Sequence, residues 1–284
     1  MKKLGIDVST FQGPVNWARV KTSGIEFAMI RGGYGRFEID EQFTRNYLNA
    51  KTFDMPIGVY HYSYATNTTR AKQEAQFVIN YLKDKKLEYP VAFDIEDKTQ
   101  MSLTKTELTN IVKAFCSTLE KAGYYVVIYS SKYFLENKLY MNKLTRYDVW
   151  VAQWNDTCTY SGNYGMWQFS DKGRCAGIQG PVDVNYAFKD YPTIIKNAHL
   201  NGWEKPTKPK RIEVGTKVIL NNTPLYVSST TAKPTTRISG TFYIYDGKDV
   251  NGRYRITTAK SNCMKSPVSK YVTGWIDKGG VKIG

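Results

Sequence analysis

The segment YPVAFDIED, residues 89–97, runs from an apolar start into three acids, Asp94, Glu96 and Asp97. Read as a strand, it sends Asp94 and Glu96 to one side, about 6.5–7 Å apart along the chain, and Phe93 and Ile95 to the other. Carboxylates that close repel, so one keeps its proton to higher pH. A protonated acid beside an ionised one is the arrangement that glycoside hydrolysis needs. Two more acids sit in similar settings: Asp7 closes the apolar run LGIDVS, and Asp183 lies in GPVDVNY. A single such acid reads as a cap or a salt-bridge partner. Four at strand ends are costly to cluster for stability alone, which points to chemistry.

Something must bring these acids together. The first 200 residues alternate apolar runs with amphipathic stretches. Strands are expected at 4–8, 26–31, 57–62, 90–96, 124–129, 148–153, 165–169 and 182–185, and helices at 17–22, 41–52, 69–83 and 105–122. Thr104 with Glu107 fits a capping box, and Gly123 a helix stop. Strands alternating with helices imply parallel pairing, and eight of them suggest closure into a barrel whose C-terminal strand ends form the mouth. First and last strands would then be neighbours, and Asp7, Asp94, Glu96 and Asp183 would converge. The later strands are joined by short loops, so the second half should be irregular. The expectation is an α/β chain: an incomplete or irregular TIM-like β/α barrel of eight strands and about five helices, followed by a small all-β domain.

Composition narrows the class. The chain has 284 residues, 42% hydrophobic and 23% charged, which suits a folded protein rather than a disordered one. The 22 tyrosines suit clefts that bind sugars or peptides, although most will serve packing. With two histidines and no CxxC pair a structural zinc site is not expected, and no cofactor is called for. Cys116, Cys158, Cys175 and Cys263 do not read as a disulfide framework; a Cys158–Cys175 bridge is the weaker alternative. The start, MKKLGIDVSTF, has no apolar run behind its lysines, and no stretch of 18 apolar residues follows. The expectation is no signal peptide and no membrane span, with the protein made and stored in the cytoplasm.

GIDVSTFQGPVNWARVKTSGIEFAMIRGGYG, PIGVYHYSYA, YPVAFDIED, VWVAQWN, MWQFS and VDVNYAF, in this order, resemble glycoside hydrolase family 25, the lysozyme-like muramidases of phage endolysins and bacterial autolysins. The resemblance covers residues 1 to about 195. It implies cleavage of the β-1,4 bond between N-acetylmuramic acid and N-acetylglucosamine, with bacterial peptidoglycan as substrate. It implies Glu96 as general acid, Asp94 as the acid that orients the substrate's acetamido group, and Asp7 and Asp183 as the remaining acids. It also implies retention through the acetamido oxygen. Tyr62 matches the cleft tyrosine; Tyr34, Tyr64, Tyr129, Gln153, Trp154 and Gln168, at or just past strand ends, are further substrate-binding candidates. His61 has the wrong strand parity and reads as packed. Rival readings are a chitinase-like hexosaminidase and a non-catalytic wall lectin.

The pattern breaks near HLNGWEKPTKPKRIEVG, residues 199–215, where prolines stand among lysines. The expected organisation is a catalytic barrel at 1–199, a linker at 200–211 and a β domain at 212–284. GTKVILNNTPLYVSST and GWIDKGGVKI resemble bacterial SH3-like wall-binding modules. From residue 205 onward there are 15 basic and 4 acidic residues, most of the chain's net charge of +15. An anionic or other wall polymer is the expected partner, with a pocket of Tyr226, Tyr243, Tyr245 and Trp275. No recognition helix or RNA-binding motif supports nucleic acid.

Overall fold

The computed structural model describes residues 2–204 and 212–281. The chain divides into two compact units, Met1–Lys205 and Pro206–Gly284. The first unit runs β1 (Lys3–Val8), α1 (Trp17–Thr22), β2 (Phe27–Tyr34), β3 (Glu38–Ile39), α2 (Phe43–Thr52), β4 (Ile57–Tyr62), α3 (Thr68–Leu82), β5 (Val91–Asp94), α4 (Lys105–Lys121), β6 (Val126–Ser131), α5 (Lys132–Lys138), β7 (Asp148–Ala152), β8 (Met166–Gly173), β9 (Val182–Ala187) and α6 (Tyr191–Asn197). Eight strands close in the order β1, β2, β4, β5, β6, β7, β8, β9 and back to β1, while β3 forms a hairpin on β2.

Closure is not wholly parallel. The seven strands β1 to β8 of the ring run together, but β9 is antiparallel to both β8 and β1. A parallel return would need a crossover of a dozen or more residues. Only 8 residues separate Gly173 from Val182, so the chain turns back instead. Asp183 therefore reaches the mouth from the start of its strand, where it pairs in register with Asp7.

Alternation along the strands builds two cores. Phe27, Met29, Ala92, Val127, Trp150 and Met166 fill the barrel. Their neighbours Ala28, Ile30, Phe93, Ile128 and Val151 face the helices, where Phe93 stacks on Phe115 of α4 at 4.0 Å. Burying each of the larger of these, the Val, Ile, Phe and Met side chains, is worth about 1.5–3 kcal/mol. Inside, Gly5 leaves room for the Phe27 ring: a Cβ there would lie 2.3 Å from it. His61 faces this helical layer, fully buried, with Nε2 3.2 Å from Glu74 Oε2. Ser131 and Asp190 cap α5 and α6, two short helices that the sequence periodicity does not show.

Residues 200–204, expected to open the linker, belong to the barrel. Asn201 is buried at the base and tied in four places. Its Nδ2 donates to Tyr89 O at 2.8 Å, and its Oδ1 accepts from Tyr125 N at 2.8 Å. Its backbone pairs with Gly123 O and Leu87 N. Residues 205–211 of the expected linker lie outside the described residues.

The second unit is an antiparallel sheet of β10 (Lys217–Leu225), β11 (Thr236–Ile244), β12 (Arg253–Thr257) and β13 (Gly274–Asp277), with the short helix α7 (Val268–Tyr271) before β13. Tyr226, just past β10, exchanges backbone hydrogen bonds with Trp275 of β13 and so closes the sheet on itself. Val218, Ile244, Ile256 and Ile276 form its core. Of the four aromatic residues expected to line a pocket, Tyr226, Tyr245 and Trp275 are buried and Tyr243 is half-buried. The guanidinium groups of Arg253 and Arg255 cover the rings of Tyr226 and Trp275 at 3.4 and 4.6 Å. Aspartates hold both arginines in place, Asp277 on Arg253 and Asp246 on Arg255. All four cysteines are free, so the Cys158–Cys175 bridge does not form. Among the described residues no helix is long and apolar enough to cross a membrane.

Candidate active site

At the mouth, β1 and β9 set Asp7 opposite Asp183. Two buried amides support them from the barrel interior. Gln168 Nε2 donates to Asp7 Oδ2 at 2.9 Å and reaches Asp183 Oδ2 at 3.5 Å; Asn185 Nδ2 donates to Asp7 Oδ2 at 2.8 Å. The amides are themselves oriented. Gln168 Oε1 accepts from the Tyr129 hydroxyl and from Trp154 Nε1, each at 3.0 Å, and Asn185 Oδ1 accepts from Trp150 Nε1 at 2.9 Å. With both oxygens taken, the NH2 groups must face the acids.

Asp94 closes β5 at the level of Tyr62 on β4 and Tyr129 on β6. Glu96 lies two residues on, past the end of the strand, and both acids border one cavity of about 200 Å³ with Asp7 and Asp183. Burial raises the pKa of all four. For Asp94 the charges of Glu96 and Asp7 add to the rise, and Arg31 opposes it. For Asp183 burial acts first, then Asp7, to about 8. For Asp7 the rise from burial is tempered by the hydrogen bonds from Asn185 and Gln168. For Glu96 burial is countered by a backbone hydrogen bond from Ser131 and reinforced by Asp183. Asp94 Oδ1 is buried with no hydrogen-bond partner in the protein. Burial thus raises the proton affinity of the whole cluster, and Asp183, at about 8, keeps its proton at neutral pH.

The description "Glycosyl hydrolases family 25" matches residues 6–178. The chain belongs to this family. Among its relatives, Lysozyme M1 of Streptomyces globisporus is 29% identical over 195 residues, 64% of this chain and 66% of that protein. The crystal structure of the CTP1L endolysin superposes with a TM-score of 0.62 at 26% identity, covering 69% of this chain and 70% of that one. The modular autolysin LytC of Streptococcus pneumoniae, solved with a synthetic peptidoglycan ligand, gives a TM-score of 0.60 at 27% identity; the match covers 66% of this chain and 47% of LytC.

In this family 25 barrel the substrate-binding residues expected in the cleft fall into three groups. Tyr62 borders both the acid cavity and an adjoining one of about 490 Å³, which Tyr34 and Tyr64 also line. Tyr129 and Gln168 stand at the acids themselves. Gln153 and Trp154 do not reach the acid cavity. Ala152 points inward, so Gln153 points out, and both ends of its amide bind Thr159 at 2.8 Å. Trp154 touches the acids only through Gln168, and its exposed ring borders an outer groove with Trp167 and Phe169.

Sequence reasoning missed Asn185, Trp150, Arg31 and Phe11. Asn185 is two residues from Asp183 and so shares its face. Arg31 is a lone charge in the apolar run of β2 and pairs with buried Asp40 at 2.7 Å. Phe11, on the turn after β1, is 82% exposed and borders both cavities, with the Arg31 guanidinium 4.9 Å from its ring.

Proposed function

We propose that this peptidoglycan hydrolase is a muramidase that cleaves the β-1,4 bond between N-acetylmuramic acid and N-acetylglucosamine. The observation that carries the reading is the convergence of Asp7, Asp94, Glu96 and Asp183 on one cavity. Glu96, its pKa raised by burial, delivers a proton to the glycosidic oxygen as the bond breaks. The substrate's acetamido carbonyl oxygen attacks the anomeric carbon, and Asp94 accepts the acetamido N–H and stabilises the charge that develops. Water then attacks the anomeric carbon of the oxazolinium ring so formed, the bond to the acetamido oxygen breaks and Glu96 takes a proton from that water, so configuration is retained. Asp7 and Asp183 shape and polarise the floor. The experiment is digestion of purified Gram-positive walls with mass spectrometry of the new reducing ends. Muramic acid at those ends is expected; glucosamine there overturns the reading. Glu96→Gln should lower the rate by about 10²–10⁴-fold, the usual contribution of a general acid. For the second unit we infer an SH3-like wall anchor, which its closed four-stranded sheet and basic balance support.

A further inference from the structure

Asp97, the third acid of YPVAFDIED, has no part in the chemistry above, yet it is 7% exposed. Its two oxygens have separate duties. Oδ1 accepts from Thr99 N at 2.9 Å and Thr99 Oγ1 at 2.6 Å, capping the turn at 98–100. Oδ2 accepts from the Tyr62 hydroxyl at 3.0 Å. The turn is anchored in turn: fully buried Gln100 takes the Asp97 N–H and donates to the carbonyls of Ser63 and Ala65, beyond Tyr62 on the same chain. Asp97 and Tyr62 are thereby fixed with respect to each other from both sides.

The protonation of this pair follows from its surroundings. Burial works against the Asp97 charge, but the hydrogen bonds from Thr99 and Tyr62 and the charge of Lys98 outweigh it, and its pKa is lowered. The Tyr62 hydroxyl is pushed up by burial and then by Asp97, so it stays protonated. An ionised carboxylate only accepts, and a phenol has one proton to give. Tyr62 points that proton at Asp97 in the hydrogen bond. Toward the two cavities that it joins, its oxygen offers lone pairs alone.

We propose that Asp97 is a positioning residue that commits the Tyr62 proton and so makes Tyr62 an obligate hydrogen-bond acceptor for an N–H or O–H of the bound sugar. The proposal rests on the reading of the cleft as a glycan site. Asp97→Asn tests it, because Asn is as good a cap as Asp and its oxygen can keep the Thr99 contacts. Its NH2 would donate to Tyr62, reversing the bond and turning the Tyr62 proton into the cleft, where a donor then meets a donor.

The measurement is a double-variant cycle of Asp97→Asn and Tyr62→Phe, scored as the rate of new reducing ends, whatever their identity, on soluble glycan strands. An error in the muramidase assignment therefore leaves this test intact. Asp97→Asn should lower kcat/KM roughly tenfold, the scale of one lost hydrogen bond, with its urea midpoint near the parent's. In the Tyr62→Phe background the same substitution should change the rate by less than about twofold, since coupled residues do not add. Losses that multiply, or a fully active Asp97→Asn, overturn the proposal. Asp97→Ser, another capping side chain that cannot hold the Tyr62 proton, serves if the Asn variant folds poorly, with the same two outcomes.

Discussion

The four acids of the cleft retain protons that an unfolded chain would release. Asp183 has its pKa raised from 3.8 to about 8, first by burial and then by Asp7. Between those values the native state binds more protons than the unfolded state, so stability is full at the acid end and is lost as pH rises. The urea midpoint should fall from about pH 5 to pH 8. Asp183→Asn removes one titrating group and should flatten that fall while raising the midpoint at pH 8. A midpoint that climbs over this window, or an unchanged slope in the variant, refutes the account. The same substitution should reduce catalysis, since the strain that the acids impose is also what holds a proton ready. At this scale the sequence was informative about charge and poor about orientation. Parity along YPVAFDIED predicted which carboxyls share a face. Nothing in the spacing indicated that Gln168 and Asn185 would meet under Asp7, because they come from β8 and β9 and meet only through closure.

Elements were legible where their pattern repeats often enough. Helix α1 matches its expected range, and α3 and α4 lie within a residue of theirs. α5 and α6, seven residues each, complete too few turns to show a periodic stripe, and their caps Ser131 and Asp190 emerge only from the structure. The direction of β9 was not legible at all: alternation is the same read either way. The base of the barrel shows a similar gap, because a polar Asn in NGW looks like linker and is in fact a buried bracket. Asn201 also adopts a positive φ of 54°, which Asn tolerates better than most residues. Asn201→Ala would strand the Tyr125 N–H and the Tyr89 carbonyl in the interior. Each unsatisfied buried group costs about 1–3 kcal/mol, so the variant should lose about 2–6 kcal/mol in urea unfolding. A loss under about 0.5 kcal/mol, the scale of an ordinary surface substitution, would show that the bracket bears no strain.

For the whole molecule, the distribution of charge sets the expectation. In the second unit Arg253 and Arg255 cover the rings of Tyr226 and Trp275, and basic residues dominate the unit's charge. A fluorescent fusion of residues 206–284 should bind purified walls at 0.15 M salt and lose most of that binding by 0.5 M, as screening shortens from about 8 Å toward the 3 Å of 1 M salt. Binding that survives 0.5 M salt would reveal a directed recognition site. Deleting the unit should slow lysis of whole cells far more than cleavage of soluble fragments, because tethering acts through local concentration.

The reversal of β9 has a geometric corollary. A strand that enters at the catalytic pole leaves at the other, and Asn201 fastens the following residues beneath β5 and β6. Residues 198–204 thus lie at the pole away from the acids. A long polysaccharide lying across the open pole therefore does not meet residues 198–204, the segment that seals the opposite end of the barrel.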